Sequence, residues 1–238
     1  MAVFCQDWRW QVAQQWQVVF ASAASLSVHR ADLISLGVRE VSVALNDSSF
    51  DTFIAELNPQ AVMFDRFFTE EQFGWRVAQV CPNALRLLDT EDLHSLRYAR
   101  QQRLKQGQKS CATELERNSL PPVLASSEEL YADMAQTDMA QREIAAIFRC
   151  DLTLMISQFE ITLLTERFGI PTHLLHYCPL FKVKPQTTTL PHFSARQHFI
   201  SIGNFRHEPN WDAVLWLKTE IWPRIRKQLP RAELLVYG

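Results

Sequence analysis

The sequence predicts an α/β fold: a Rossmann-like, doubly wound parallel sheet over residues 1–180, a linker over 181–197, and an incomplete second Rossmann-like domain over 198–238. Three observations carry this. Short apolar runs of strand length alternate with stretches of helical period, the arrangement that builds parallel sheets with right-handed crossovers. Residues 198–238, HFISIGNFRHEPNWDAVLWLKTEIWPRIRKQLPRAELLVYG, read as one strand, helix, strand unit. Between the two lies Pro179 to Arg196, with Pro185, Pro191 and three consecutive threonines, which is linker composition.

Taken in order, the opening MAVFCQDWRWQVAQQ reads as a helix running into a strand at Gln17 to Ser22. A doubly wound domain usually places a strand and a glycine-rich turn before such a helix, so the first strand is expected to be missing. Ala31 to Leu36 is a short helix closed by Gly37, which tolerates the left-handed backbone of a C-cap. Val38 to Leu45 is a strand; Ser48 or Ser49 caps a helix to Leu57, with Pro59 beyond it. Ala61 to Asp65 is a strand, and Thr69 is expected to cap a helix through Val80, with Glu70 and Glu71 favoured by the dipole of its first turn.

Ala84 to Asp89 is the next strand, followed by Thr90-Glu-Asp-Leu-His and a basic helix with Arg97, Arg100, Arg103 and Lys105. Residues 106–126 lose the period and contain Pro121-Pro122, so a surface loop is expected. A helix spans Ser127 to Cys150, a strand Asp151 to Ser157, a helix Gln158 to Phe168 closed by Gly169, and a last strand His173 to Tyr177. In the C-terminal unit, strands at Phe199 to Ile202 and Leu234 to Tyr237 flank a helix opening near Pro209-Asn210. Val214, Leu217, Ile221, Ile225 and Leu229 form its apolar stripe, and Pro223 kinks or divides it.

Composition narrows the function. The apolar fraction is 47%, the charged fraction 21% and the formal net charge -2, the balance of an ordinary soluble globular protein with no basic excess for nucleic acid. No apolar run approaches a membrane span, and residues 1–10 lack the apolar core of a signal peptide, so a cytoplasmic location is expected. The five scattered cysteines contain no C-x-x-C pair, so neither a metal site nor a disulfide framework is expected. No P-loop, G-x-G-x-x-G or Ser-His-Asp pattern appears.

In open parallel sheets ligands bind beyond the carboxyl ends of strands, which singles out three places. Asp89 to His94 holds three carboxylates and an imidazole; Asp89, Asp92 and His94 are the catalytic candidates, since such a group positions or deprotonates a hydroxyl. The alternative is that Asp89 or Thr90 only caps the next helix. Gly203, Asn204 and Arg206 follow the first strand of the second unit, where Arg206 and the helix start near Asn210 could hold a phosphate; a solvated arginine or an ion pair with Glu208 is the alternative. Asp65-Arg66 reads as a structural ion pair or cap. The basic helix reads first as a solvated face and second as a contact with an anionic membrane surface or lipid-linked acceptor.

The order strand, Gly-Asn-Phe-Arg-His-x-Pro-Asn-x-Asp-Ala, helix with Trp-Pro, Leu-Pro-x-Ala-x-Leu, strand ending in Gly, over residues 198–238, resembles the start of the C-terminal domain in glycosyltransferases of family 4, or group 1. The resemblance implies a GT-B architecture of two Rossmann-like domains. It also implies sugar transfer from a nucleotide-sugar donor to a hydroxyl of a glycan or glycolipid acceptor, in polysaccharide or glycolipid synthesis, without a cofactor or bound metal. The first domain would hold the acceptor. The family's basic pair and its Glu-x7-Glu element lie beyond the matched stretch and have no counterpart here, so a chain truncated at both ends and without activity is expected. The alternative is a non-catalytic binding or assembly module. A partial domain of this size cannot cover a sheet on both faces, so it is expected to dock on the first domain, to self-associate through an open strand edge, or to be poorly ordered. An unrelated Rossmann-like enzyme binding nucleotide in its first domain is disfavoured by the missing glycine-rich phosphate loop.

Overall fold

The protein is described by a computed structural model covering residues 16–25, 30–110, 127–179 and 192–238. It divides into two compact units between Lys182 and Val183, within the segment expected to be a linker. The expected helix over residues 1–15, residues 111–126 of the loop expected over 106–126 and residues 181–191 of the linker expected over 181–197 lie outside the described residues; the described end of the linker holds a 3-10 turn, Phe193–Ala195.

In the larger unit, strands β3 (Ala61–Asp65), β4 (Leu85–Asp89), β5 (Leu152–Met155) and β6 (Leu175–Tyr177) form a four-stranded, wholly parallel sheet in that order. Helices flank it: α1 (Ser49–Leu57), α2 (Phe67–Val80), α3 (His94–Ser110), α4 (Ser127–Ala135), α5 (Asp138–Arg149) and α6 (Gln158–Phe168). This is the α/β arrangement expected of a Rossmann-like fold. The expected continuous, doubly wound sheet is corrected in one respect. Strands β1 (Val19–Ser22) and β2 (Arg39–Ser42) pair only with each other among the described strands, and the four-stranded sheet runs in sequence order without a reversal. The apolar strand β3 therefore stands at an edge, although its uncharged interior is typical of a strand paired on both sides.

Local chemistry explains most boundaries, including several that differ from expectation. Asp47, rather than Ser48 or Ser49, serves the start of α1, its Oδ1 accepting from Ser49 N at 2.8 Å. Asn58 closes that helix at φ 42°. Only Ile34–Leu36 forms a 3-10 turn where a longer helix was expected, and Gly37 ends it at φ 79°. Helix α2 begins at Phe67, so Thr69 lies inside it and is not its cap. The expected helix from 127 to 150 is two helices: Thr137 Oγ1 accepts from Ala140 N at 3.1 Å, a local N-cap that starts α5 afresh. Helix α3 continues through Ser110, past the expected loop boundary at 106, on residues such as Gln108 and Lys109 with good helix propensity.

The core lies between sheet and helices. Phe50 and Ile54 of α1, Phe64 of β3, Leu88 of β4, Ile147 of α5 and Leu164 of α6 pack in one buried cluster. A carboxylate of α2 is buried beside that cluster. Glu70 is 2% exposed, and its oxygens accept from Arg149 Nε at 3.0 Å and Arg149 Nη2 at 2.5 Å.

The smaller unit is a parallel pair, β7 (Phe199–Ile202) and β8 (Leu234–Tyr237), with helices α7 (Glu208–Trp216) and α8 (Trp222–Gln228) joined by a π-helical segment, Leu217–Ile221. Pro223 sits in the first turn of α8, where its missing N–H costs no helical bond, so the division expected at this proline is made by the π segment just before it. Phe199 meets the Trp222 ring edge-on at 5.7 Å, which places Phe199 and Ser201 on the helix side of the pair. Ile200, Ile202, Leu235 and Tyr237 are on the opposite side by alternation, and all four are exposed.

Gly74, inside α2, gives a signed test of how firmly the buried carboxylate is held. A Cβ there would stand 2.4 Å from Glu70 Oε1. In an open helix Gly→Ala gains about 1 kcal/mol. Here Gly74→Ala is expected to destabilise by about 1–2 kcal/mol in urea unfolding, because Arg149 pins the oxygen it displaces; a stabilised variant would contradict this.

Candidate functional site at the carboxyl ends of β3 and β4

Strands β3 and β4 end side by side, Asp65 opposite Asp89. The residue after β3, Arg66, has φ 69° and ψ 161°, a conformation otherwise confined almost to glycine. Its N–H donates to Asp89 O at 2.7 Å, which ties it across to the neighbouring strand end. Two residues beyond β4, Glu91 also has positive φ, at 56°. These two strained residues hold each other: Arg66 Nε and Nη2 both donate to Glu91 Oε2, at 3.0 and 2.5 Å. Asp65 is a more distant partner, 3.5 Å from Arg66 Nε, so the expected Asp65-Arg66 pair is secondary to the link with Glu91. Loss of water pushes the Asp65 carboxyl up from its ordinary value, with Arg66 opposing the shift.

The turn from Thr90 to Ser95 has no cap of its own. Thr90 Oγ1 donates to Leu154 O at 3.2 Å, and Asp89 Oδ1 accepts from Glu91 N at 3.0 Å, so neither residue caps α3 as the capping alternative expected. Two carboxylates from elsewhere do so instead. Glu143 of α5 accepts from His94 N at 2.9 Å, Ser95 N at 3.1 Å and Ser95 Oγ at 2.5 Å. Glu160 of α6 accepts from Leu93 N at 3.3 Å. Both are buried, at 2% and 8% exposure, and burial is the largest cause raising each pKa above its ordinary value. Glu160 Oε2 has no hydrogen-bond partner among the described residues, which favours the protonated acid.

Of the sequence candidates, Asp92 and His94 sit together and Asp89 joins them through the turn. Asp92 accepts from Arg97 Nη1 at 3.1 and 2.8 Å. His94 Nδ1 lies 3.2 Å from Asp92 O and 3.4 Å from its Oδ1. A carbonyl only accepts, so in this hydrogen bond Nδ1 carries the hydrogen. The imidazole is flanked edge-on by Phe67 and Phe68, at 5.9 and 6.1 Å. Sequence reasoning counts Glu91 among the three carboxylates of the cluster but not among the catalytic candidates, and it misses Glu143 and Glu160, whose partnerships across helices leave no local pattern.

The whole is acidic: Asp65, Asp89, Glu91, Asp92, Glu143 and Glu160 gather around Arg66, His94 and Arg97. Of these acids, Glu143 and Glu160 are buried with raised pKa values, while Glu91 and Asp92 are paired with Arg66 and Arg97. Cys150, under the same sheet, is no nucleophile, because burial pushes its thiol up to about 12. Among the described residues no cluster of His, Cys, Asp or Glu is arranged to hold a metal ion.

Gly203, Asn204 and Arg206 lie in the smaller unit, where β7 turns into α7. Asn204 Oδ1 accepts from Arg206 N at 3.1 Å, and Asn204 O accepts from Asn210 Nδ2 at 3.2 Å. The Asn210 N–H, expected to be available to an anion, donates instead to His207 O at 3.0 Å. Gly203 has room for a side chain, whereas a Cβ on Gly238 would fall 2.2 Å from Gly203 O. No ion pair joins Arg206 to Glu208 among the described residues. On the basic helix α3, Arg97 pairs with Asp92 and Arg103 with Glu129 and Asp133, so these two cations face acids of the same chain. No helix among the described residues is long and apolar enough to cross a membrane.

Comparisons of the chain with family models, with curated proteins and with solved structures found no match.

The two capping carboxyls make stability fall with pH. Their folded-state pKa values lie above the ordinary 4.5, so the folded chain binds the protons more tightly than the unfolded chain does. Their contribution is complete below about pH 4.5 and is lost as pH rises through the raised values. Glu160→Gln keeps the shape without the charge, and its Tm relative to the wild type is expected to be higher at pH 7.5 than at pH 4.5 by about 2–4 °C. An offset that is the same at both pH values would contradict this account.

Proposed function

We propose that the larger unit binds a hydroxyl-rich acceptor at the carboxyl ends of β3 and β4. The chain is then the acceptor-side part of a glycosyltransferase-like protein of GT-B architecture, which moves a sugar from a nucleotide-sugar donor in polysaccharide or glycolipid synthesis. The observation that carries this reading is the strained Arg66–Glu91 pair. Positive-φ residues that are not glycine cost of order 1–3 kcal/mol each and persist where a site requires them. Here both fall where an open parallel sheet binds its ligands, and they stand in an acidic surround that selects hydroxyls over phosphates. The resemblance of residues 198–238 to the start of a nucleotide-sugar domain supplies the reaction class.

In this reading Glu91 and Asp92 accept hydrogen bonds from acceptor hydroxyls, each charge-assisted and short. His94 Nε2, with Nδ1 held by the Asp92 carbonyl, takes the proton of the attacking hydroxyl, and Asp89 fixes the turn that presents it. The donor is assigned to the smaller unit, with Arg206 against its diphosphate beside Gly203 and Asn204. No resident cofactor has a role.

Arg66→Gly tests the reading with opposite signs in two measurements. Glycine relieves the strained backbone, so unfolding stability is expected to hold or rise by about 1 kcal/mol, while binding of glycans in a printed-array screen falls at least about tenfold. A variant with unchanged glycan binding, or a wild-type chain that binds no glycan, would count against an acceptor site here.

A further inference from the structure

We propose that Phe68 is the stacking platform on which the acceptor lies, so that the acceptor is a pyranose ring presented by its apolar C–H face. This rests on the acceptor reading above and adds to it the ring form of the ligand and the residue that selects it.

The backbone strain at Arg66 has a consequence for the two phenylalanines that follow. Phe67 turns inward and is 5% exposed; Phe68 turns outward and is 40% exposed. The outward ring is not loose. It meets Phe67 edge-on at 5.6 Å and 74°, and His94 at 6.1 Å and 77°. The Arg66 guanidinium that holds Glu91 lies over one face of the ring, 5.9 Å from its centroid, which leaves the other face for a ligand. Among other exposed aromatics of this unit, Trp75 has the Arg76 guanidinium 4.6 Å from its centroid but, among the described residues, no carboxylate and imidazole cluster such as the one beside Phe68.

A rigid aromatic ring beside carboxylates and an imidazole matches two faces of one ligand. The face of an aromatic ring carries partial negative charge and attracts the weakly positive C–H groups on the flat side of a pyranose. The hydroxyls around the sugar's rim then reach Glu91 and Asp92, and one of them meets His94. An acyclic polyol offers the same hydroxyls without the flat face. An apolar body with a few fixed polar partners is the usual composition of a small-molecule site.

The test is saturation-transfer NMR with methyl β-D-glucopyranoside, methyl β-D-galactopyranoside and methyl α-D-mannopyranoside, with sorbitol as the acyclic probe. Wild type, Phe68→Ala, Phe68→Leu, Phe68→Trp and Glu91→Gln are compared, each with its thermal unfolding curve. The expected result is saturation of at least one glycoside's ring C–H protons and none of sorbitol. Binding should weaken about tenfold in Phe68→Ala and Phe68→Leu and be retained in Phe68→Trp. Phe68→Leu keeps the apolar bulk against Phe67, so a loss there with an unchanged Tm belongs to the ring face and not to folding. Glycoside binding that survives in Phe68→Leu and fails in Glu91→Gln would overturn the platform and leave the acceptor site standing. Sorbitol binding as well as the glycosides would also overturn it. No binding of any glycoside by the wild type would overturn the acceptor reading, and the platform with it.

Discussion

The larger unit depends on two buried carboxylates meeting the first turn of one helix. Glu143 and Glu160 come from α5 and α6, separate in sequence from α3, and together they take the N–H groups of Leu93, His94 and Ser95. A helix start leaves its first N–H groups without partners, and interior packing would make that costly without these acids. The same contacts fix where the turn from Thr90 to His94 can lie. The acids are themselves buried at a cost, which burial expresses as raised pKa values. Fold and candidate site are therefore one construction: removing either carboxylate frees the turn that carries Glu91, Asp92 and His94.

Strain is concentrated where this construction meets solvent. Arg66 and Glu91 adopt backbone conformations that glycine would accept without penalty, yet both are charged and joined to each other. A chain selected only for stability would place glycine at either position. The pairing offsets part of that strain with charge-assisted hydrogen bonds. The loop between β7 and α7 is a different kind of feature: its polar groups at Asn204, Asn210 and His207 are largely satisfied within the loop itself.

Legibility from sequence followed the range of the interactions. Strands β3 to β6 and the helices between them show in the apolar period, because burial of one face is written locally. Caps were half legible. Gly37 and Gly169 close their elements as expected, whereas Ser48 yields to Asp47, Thr69 falls inside α2, and Thr137 divides a helix that looked continuous. The carboxylates that cap α3 are illegible, since their partners are 49 and 67 residues away along the chain. The pairing of β1 with β2 alone was equally hidden, because strand order depends on contacts that no local pattern encodes. Asp92 and His94 were found because they follow a strand. Glu91, just before them, belongs to the same cluster, but nothing in a sequence announces its positive φ.

The most direct measurement is a 15N-resolved NMR titration of the whole chain with the monosaccharide glycosides and, separately, with UDP- and GDP-sugars. The account predicts that glycosides shift the amides of Arg66 to Phe68 and Glu91 to Ser95, and that nucleotide sugars shift those of Gly203 to His207 while leaving the first group unmoved. Nucleotide sugars shifting Arg66 to Phe68 and Glu91 to Ser95, or glycosides shifting none of them, would contradict an acceptor site at the ends of β3 and β4.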